Sequence, residues 1–135
     1  MIKLTKEYET GVDLIDGQHK ELVDKLNKVA SAGISSVTKD ETEKTLGFLR
    51  DYIVKHFKDE ENLQKQSGYP KHEWHKGQHE LFFKEFQKLR HEYQTNGASV
   101  QYSFALNNSI IQWIMTHIKT VDVEFGKYYL ANKKG

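Results

Sequence analysis

The chain contains no cysteine. Disulfides, zinc–thiolate sites, iron–sulfur clusters and thiol catalysis are excluded together, so any bound metal must be held by nitrogen and oxygen. Proline occurs once, at Pro70, which leaves long helices unbroken. Neither sign of charge dominates: the formal net charge is +1, and nothing advertises nucleic acid or an anionic membrane as a partner. No apolar run approaches the roughly 20 residues that span a bilayer. The opening segment carries Lys3, Lys6, Glu7 and Glu9 and has no stretch resembling an export signal. A soluble, cytoplasmic protein is expected.

What the chain does hold is the material of one core. With 135 residues, 37% of them hydrophobic and 29% charged, it reads as a single domain over 1–135. A monomer is expected. Glycines at 33, 68 and 97, with Pro70, divide it into four segments, each with helical apolar spacing.

The first segment runs from about Asp16, a plausible N-cap, to Ala32, with His19, Leu22, Val23, Leu26 and Val29 on one stripe and Gly33 closing it. Thr38 with Glu41 forms a capping box for the second, whose stripe includes Leu46, Leu49, Ile53, His56 and Glu60, and which stops near Ser67-Gly68. Pro70 suits the first position of a third helix carrying His75, His79, Phe82, Phe86, Leu89 and Tyr93. The fourth starts near Ser99 and carries Leu106, Ile110, Trp113, Ile114, His117 and Val121. Short connections make successive helices antiparallel, so the expected fold is an all-α, up-down-up-down four-helix bundle over about 16–130, preceded by an irregular arm at 1–15.

Histidines and two acids form a ladder down these stripes: His19; His56 with Glu60; His75 with His79; His117 with Asp122. Residues four apart on a helix lie about 40° apart around its axis, so each of the middle two pairs can reach one point. A lone histidine on an apolar face is ordinarily a hydrogen-bonded core residue. Glu60 resists that reading, because a buried carboxylate is costly without a metal or a strong partner. His117 and Asp122 are five apart, about 140° on a regular helix. If both bind, a π-type turn must lie between them. His72 and His91 fall off the stripes and are expected to be solvated.

Seven ligands exceed what one tetrahedral zinc uses. Two octahedral metals accommodate them if Glu60 and Asp122 each bridge and a solvent oxygen bridges as well. Five histidines then divide as three and two, leaving one metal five-coordinate, with an open position for a small ligand. Imidazole and carboxylate ligation is compatible with iron; affinity alone would favour zinc or nickel.

These residues resemble the hemerythrin family in its bacterial single-domain form, bacteriohemerythrin. The carriers are Ile15-Asp16-Gly17-Gln18-His19, His56-Phe57-Lys58-Asp59-Glu60-Glu61, Gly68-Tyr69-Pro70 leading to His75 and His79, and Trp113-Ile114-Met115-Thr116-His117-Ile118 through Asp122. The resemblance implies two non-haem iron ions: one held by His75, His79 and His117, the other by His19 and His56, bridged by Glu60, Asp122 and a solvent-derived oxo or hydroxo group. It also implies reversible O₂ binding at the open iron, with nitric oxide, peroxide or small anions such as azide as further ligands. Two electrons and a bridging proton pass to O₂ and return on release.

Such chemistry needs a dry pocket, and Leu22, Phe57, Trp113, Ile114 and Ile118 are the expected walls. The pattern departs from many relatives in two places. The arm offers Leu4 and Tyr8 where they carry a Trp, and Ile114 stands where they have Leu. A non-catalytic oxygen binder serving transport, storage, delivery or sensing is the expectation; a di-iron oxidoreductase acting on peroxide or nitric oxide, or an iron store, is the alternative. Oxygen-activating bundles use carboxylate-rich sets with Glu-x-x-His motifs, unlike this histidine-rich one.

Overall fold

Four antiparallel helices and a short arm make up the computed structural model, which describes residues 2–30 and 38–132. Helix α1 spans Asp13–Ala30, α2 Lys39–Gln66 and α3 His72–Asn96. The fourth, α4, runs unbroken over 100–132 but is not uniform: α-helical Val100–Ala105, Gln112–His117 and Val123–Asn132 alternate with π-helical Leu106–Ile111 and Ile118–Asp122. Among the described residues no helix is long and apolar enough to cross a membrane.

Local chemistry explains most of the boundaries. Thr38 caps α2 by accepting the Glu41 N–H at 3.0 Å, and Ser99 caps α4 by accepting from Tyr102 N, also at 3.0 Å. Gly68 and Gly97 adopt φ of 71° and 66° just past the ends of α2 and α3, which side chains resist. Two expected boundaries are corrected. α1 starts at Asp13, and Asp16 is not its N-cap: the Asp16 carboxylate accepts from Thr10 N, the Thr10 hydroxyl and Gly11 N, tying down the chain ahead of the helix. Pro70 is not helical either. It is the second residue of a turn closed by His72 N–H donating to the Tyr69 carbonyl at 3.2 Å, where its fixed φ is equally suited. Gly33, expected to close α1, lies outside the described residues.

The arm folds back over the bundle. The Asn27 side chain both accepts from Ile2 N and donates to the Ile2 carbonyl, and Ile2, Leu4 and Tyr8 pack against the core. Farther on, the arm crosses α4 at Gly126, where a Cβ would overlap the Thr10 carbonyl oxygen. The core has two apolar parts. A large one is built around Leu26, Leu46, Leu49, Ile53, Phe86 and Ile110; a smaller one comprises Val12, Ile15, Tyr69 and Phe125. Between them, all four helices contribute a layer of buried polar side chains.

Candidate metal centre

That layer consists of the ladder. His19, His56, Glu60, His75, His79, His117 and Asp122 are all buried, at 6% exposure or less. Regular α-helix brings His56 to Glu60 and His75 to His79. The π turn at Ile118–Asp122 supplies the extra residue that lets Asp122 share a face with His117, whose Nε2 lies 3.1 Å from Asp122 Oδ1.

The donors assemble as two groups. His75, His79, His117, Glu60 and Asp122 form one; His19, His56, Glu60 and Asp122 form the other; and within each group the ligating atoms lie within 4.8 Å of one another. Both carboxylates are common to the two. In the first group His75 Nε2 stands 3.1 Å from Glu60 Oε1, 3.0 Å from Asp122 Oδ1 and 3.0 Å from His117 Nε2, and His79 Nε2 is 3.1 Å from Glu60 Oε1. Asp122 turns its other oxygen, Oδ2, toward His19 Nε2 at 2.9 Å.

These approaches do not amount to satisfied hydrogen bonding. Both Glu60 oxygens, both Asp122 oxygens and Nε2 of His19 and His79 lack a hydrogen-bond partner of acceptable geometry despite full burial. Such orphans are rare without an ion. Two donor groups that share both carboxylates exceed what one tetrahedral ion uses, and the residues fit a pair of metals.

Partners behind the ligands fix which imidazole nitrogen faces inward. His56 Nδ1 meets Gln18 Oε1 at 2.7 Å, and the same amide donates to Asp59 Oδ2 at 2.8 Å. His79 Nδ1 meets Glu61 Oε2 at 2.8 Å. His75 Nδ1 contacts the Gln64 amide, whose oxygen is otherwise unpartnered. Turning that amide over lets His75 Nδ1–H donate to it and removes the orphan. Each arrangement commits Nε2 to the centre. Gln18, Glu61 and Gln64 were not anticipated as partners. Their signal lay in position: Gln18 and Glu61 adjoin ligands, and Gln64 follows Glu60 by one turn.

Charge around the centre is polarised. Burial, aided by His19, pushes His56 down to about 3, so it is a neutral imidazole with a free lone pair. Burial also opposes charge on His75, but Asp122 and Glu60 outweigh it and raise it to about 9. Burial and Asp122 push Glu60 up, but His75 and His79 prevail and hold it at about 2. Burial likewise opposes ionisation of Asp122, which His117, His19 and His75 hold well below the usual carboxylate range. Both bridging candidates are therefore carboxylates at neutral pH.

A cavity of ≈ 10 Å³ adjoins the layer, at the lower limit for one water molecule. Its lining includes Leu22, Phe57, Trp113, Ile114 and Ile118, the five expected wall residues, together with Ile53. It touches both histidines of the smaller donor group but only His117 of the larger. Trp113 stacks on His117 at 4.4 Å, and Phe57 on His79 at 3.7 Å. Of the two histidines expected to be solvated, His91 is exposed. His72 is corrected: its side chain is 20% exposed and its Nδ1 is buried without a partner.

The sequence pattern of the hemerythrin HHE cation binding domain matches residues 10–128. The chain belongs to the hemerythrin family. It is 31% identical over 122 residues to a bacteriohemerythrin of Stenotrophomonas maltophilia, covering 90% of this chain and 77% of that one. A bacteriohemerythrin of Methylococcus capsulatus is 30% identical over 120 residues, covering 89% of each. A crystal structure of wild-type hemerythrin superposes with a TM-score of 0.79 at 30% identity, over 96% of this hemerythrin and 97% of the other chain.

Proposed function

We propose that this hemerythrin binds O₂ reversibly at a non-haem di-iron centre and is a binder rather than an enzyme. His75, His79 and His117 would hold one iron and His19 and His56 the other, with Glu60, Asp122 and a solvent-derived oxygen shared between them. The observation that carries the reading is the sharing of Glu60 and Asp122 between two donor groups, with a small, largely apolar-walled cavity set against the group that has fewer histidines. When bound, the iron pair lends two electrons to O₂ and recovers them on release.

The chain's own residues make that loan recoverable. Leu22, Phe57, Trp113, Ile114 and Ile118 exclude the water and anions that would leave the centre oxidised. Gln18 and Glu61 lock the imidazoles of His56 and His79 with Nε2 inward, so ligand entry requires no rearrangement of either ring. Asp122 presents one oxygen to each donor group and keeps the bridge in place while the charge of the centre changes. The histidine-rich set favours reversible binding over the oxygen activation of carboxylate-rich bundles.

Optical spectra of the iron-loaded protein test this: reduced without air, then aerated, then deoxygenated again. A spectrum that forms in air and disappears on deoxygenation supports the reading; immediate, irreversible oxidation defeats it.

A further inference from the structure

Phe57 has two sides. Its ring lines the small cavity beside His19 and His56, and it also lines a groove of ≈ 400 Å³ on the outside of the bundle, between α2 and α3. Val54, Glu61, His79 and Phe83 line the same groove, and Phe57 is the residue that belongs to both linings. The inner cavity and the outside are separated at this point by a single phenyl ring, which is 8% exposed.

Among the described residues the other apolar walls are held more firmly. Leu22, Ile53, Ile114 and Ile118 are at most 3% exposed and sit within the large apolar core. Trp113 is partly exposed but held on both faces, stacked on His117 at 4.4 Å and on Phe82 at 4.5 Å. Phe57 is stacked on His79, at 3.7 Å and nearly parallel, while Phe82 meets it edge-on and His56 at a tilt, each at 5.8 Å. A closed pocket of about 150 Å³ holds a benzene ring, so the groove has room to receive the Phe57 side chain swung outward.

We infer that Phe57 is the gate through which small ligands reach the open side of the centre, by swinging from its stack on His79 into the α2–α3 groove. The inference rests on the oxygen-binding reading and adds to it the route and the moving part. Stacking and burial, offset in part by the contacts the groove offers, bias the ring toward the closed position by roughly ten- to a hundredfold. A gate has a kinetic signature: it alters entry and exit together and leaves affinity alone.

Azide binding to the oxidised, iron-loaded protein, followed by stopped-flow absorbance, reads this directly. Phe57→Ala is expected to raise both association and dissociation rates on the order of tenfold. Val54→Phe, which fills the groove and lies outside the inner cavity lining, is expected to slow both, with Kd held within about twofold. Unchanged rates in either variant overturn the gate, as does a Kd that moves as far as the rates in Val54→Phe. A wild-type protein with no azide band defeats the oxygen-binding reading instead, so the two failures are distinguishable.

A second measurement needs no metal. With Trp74→Phe as background, Trp113 is the one remaining tryptophan, and it lines the inner cavity. Quenching of its fluorescence by O₂ in the metal-free protein is expected to rise in Phe57→Ala. Quenching that stays the same overturns the gate even if that variant does not hold iron.

Discussion

Replacing Ile114 by Ala separates the two tasks of a residue that is both core and cavity wall. Ile114 is 3% exposed and packs in the large apolar cluster. The substitution removes three carbons, worth about 2.4 kcal/mol at roughly 0.8 kcal/mol per buried group, and the unfilled space brings the expected loss of stability to roughly 3 kcal/mol. The functional effect follows from volume. The cavity is ≈ 10 Å³, at the limit for one water, and the removed carbons add several times that amount, so water gains room beside His19 and His56. Urea denaturation of the metal-free protein measures the first effect. Autoxidation in air and O₂ release by stopped flow measure the second, and both are expected to quicken on the order of tenfold, about 1.4 kcal/mol in barrier height. Stability lowered as expected, with autoxidation and release unchanged, would refute the reasoning: Ile114 would then be a packing residue and nothing more.

Three further predictions concern the scaffold. Gly126→Ala is expected to cost roughly 1–3 kcal/mol in urea denaturation, because the new methyl meets the Thr10 backbone and the arm must shift; no loss would mean that the arm is not seated on α4. Gly77→Ala is expected to stabilise by roughly 0.5–1 kcal/mol, since a Cβ there meets nothing within 4 Å inside α3, and a lower midpoint would contradict this. Burial and then Glu124 raise Tyr69 to about 12. A raised phenol contributes stability that is fully present below its ordinary value near 10 and is lost as pH rises from there through about 12. Burial also raises Tyr102 and Tyr52, so phenolate absorbance should show several late-titrating tyrosines, one of which disappears in Tyr69→Phe; an unchanged titration curve in that variant would reject it.

The bundle and its ligand ladder were legible because each depends on spacing. Four-residue steps put His56 with Glu60 and His75 with His79, and the five-residue step from His117 to Asp122 demanded the wide turn found at Ile118–Asp122. The second wide turn, Leu106–Ile111, had a signal that went unread. Tyr102, Leu106, Ile110, Ile114, Ile118, Asp122 and Gly126 are all buried at strict intervals of four. On a regular helix each such step drifts by about 40°, so a run this long leaves the core unless extra residues absorb the drift.

Other features were illegible for a different reason. Whether Asp16 caps a helix or ties down the chain before it depends on where Gly11 turns, and both uses need the same residue. Glu61 reads in the sequence as a surface acid until α3 brings His79 to it, which leaves its side chain 21% exposed. Gly47 sits inside α2, where a glycine costs about 1 kcal/mol relative to alanine, but a Cβ there would lie 3.2 Å from Arg90 Nη2, whose side chain also reaches Glu43. Nothing in the structure explains Gly77.

The donor set draws on every helix and begins at His19 and ends at Asp122. The larger group needs nothing from α1 and the smaller nothing from α3, so a partly folded chain lacking one of those helices still presents one complete group, but never both. Capture of a metal pair is therefore bound to follow the docking of all four helices, and the rate at which a refolding sample acquires its second ion reports completed chains alone. The same arrangement makes the pair an inspector of assembly: a misfolded copy with any one helix displaced lacks a ligand for at least one of the two ions.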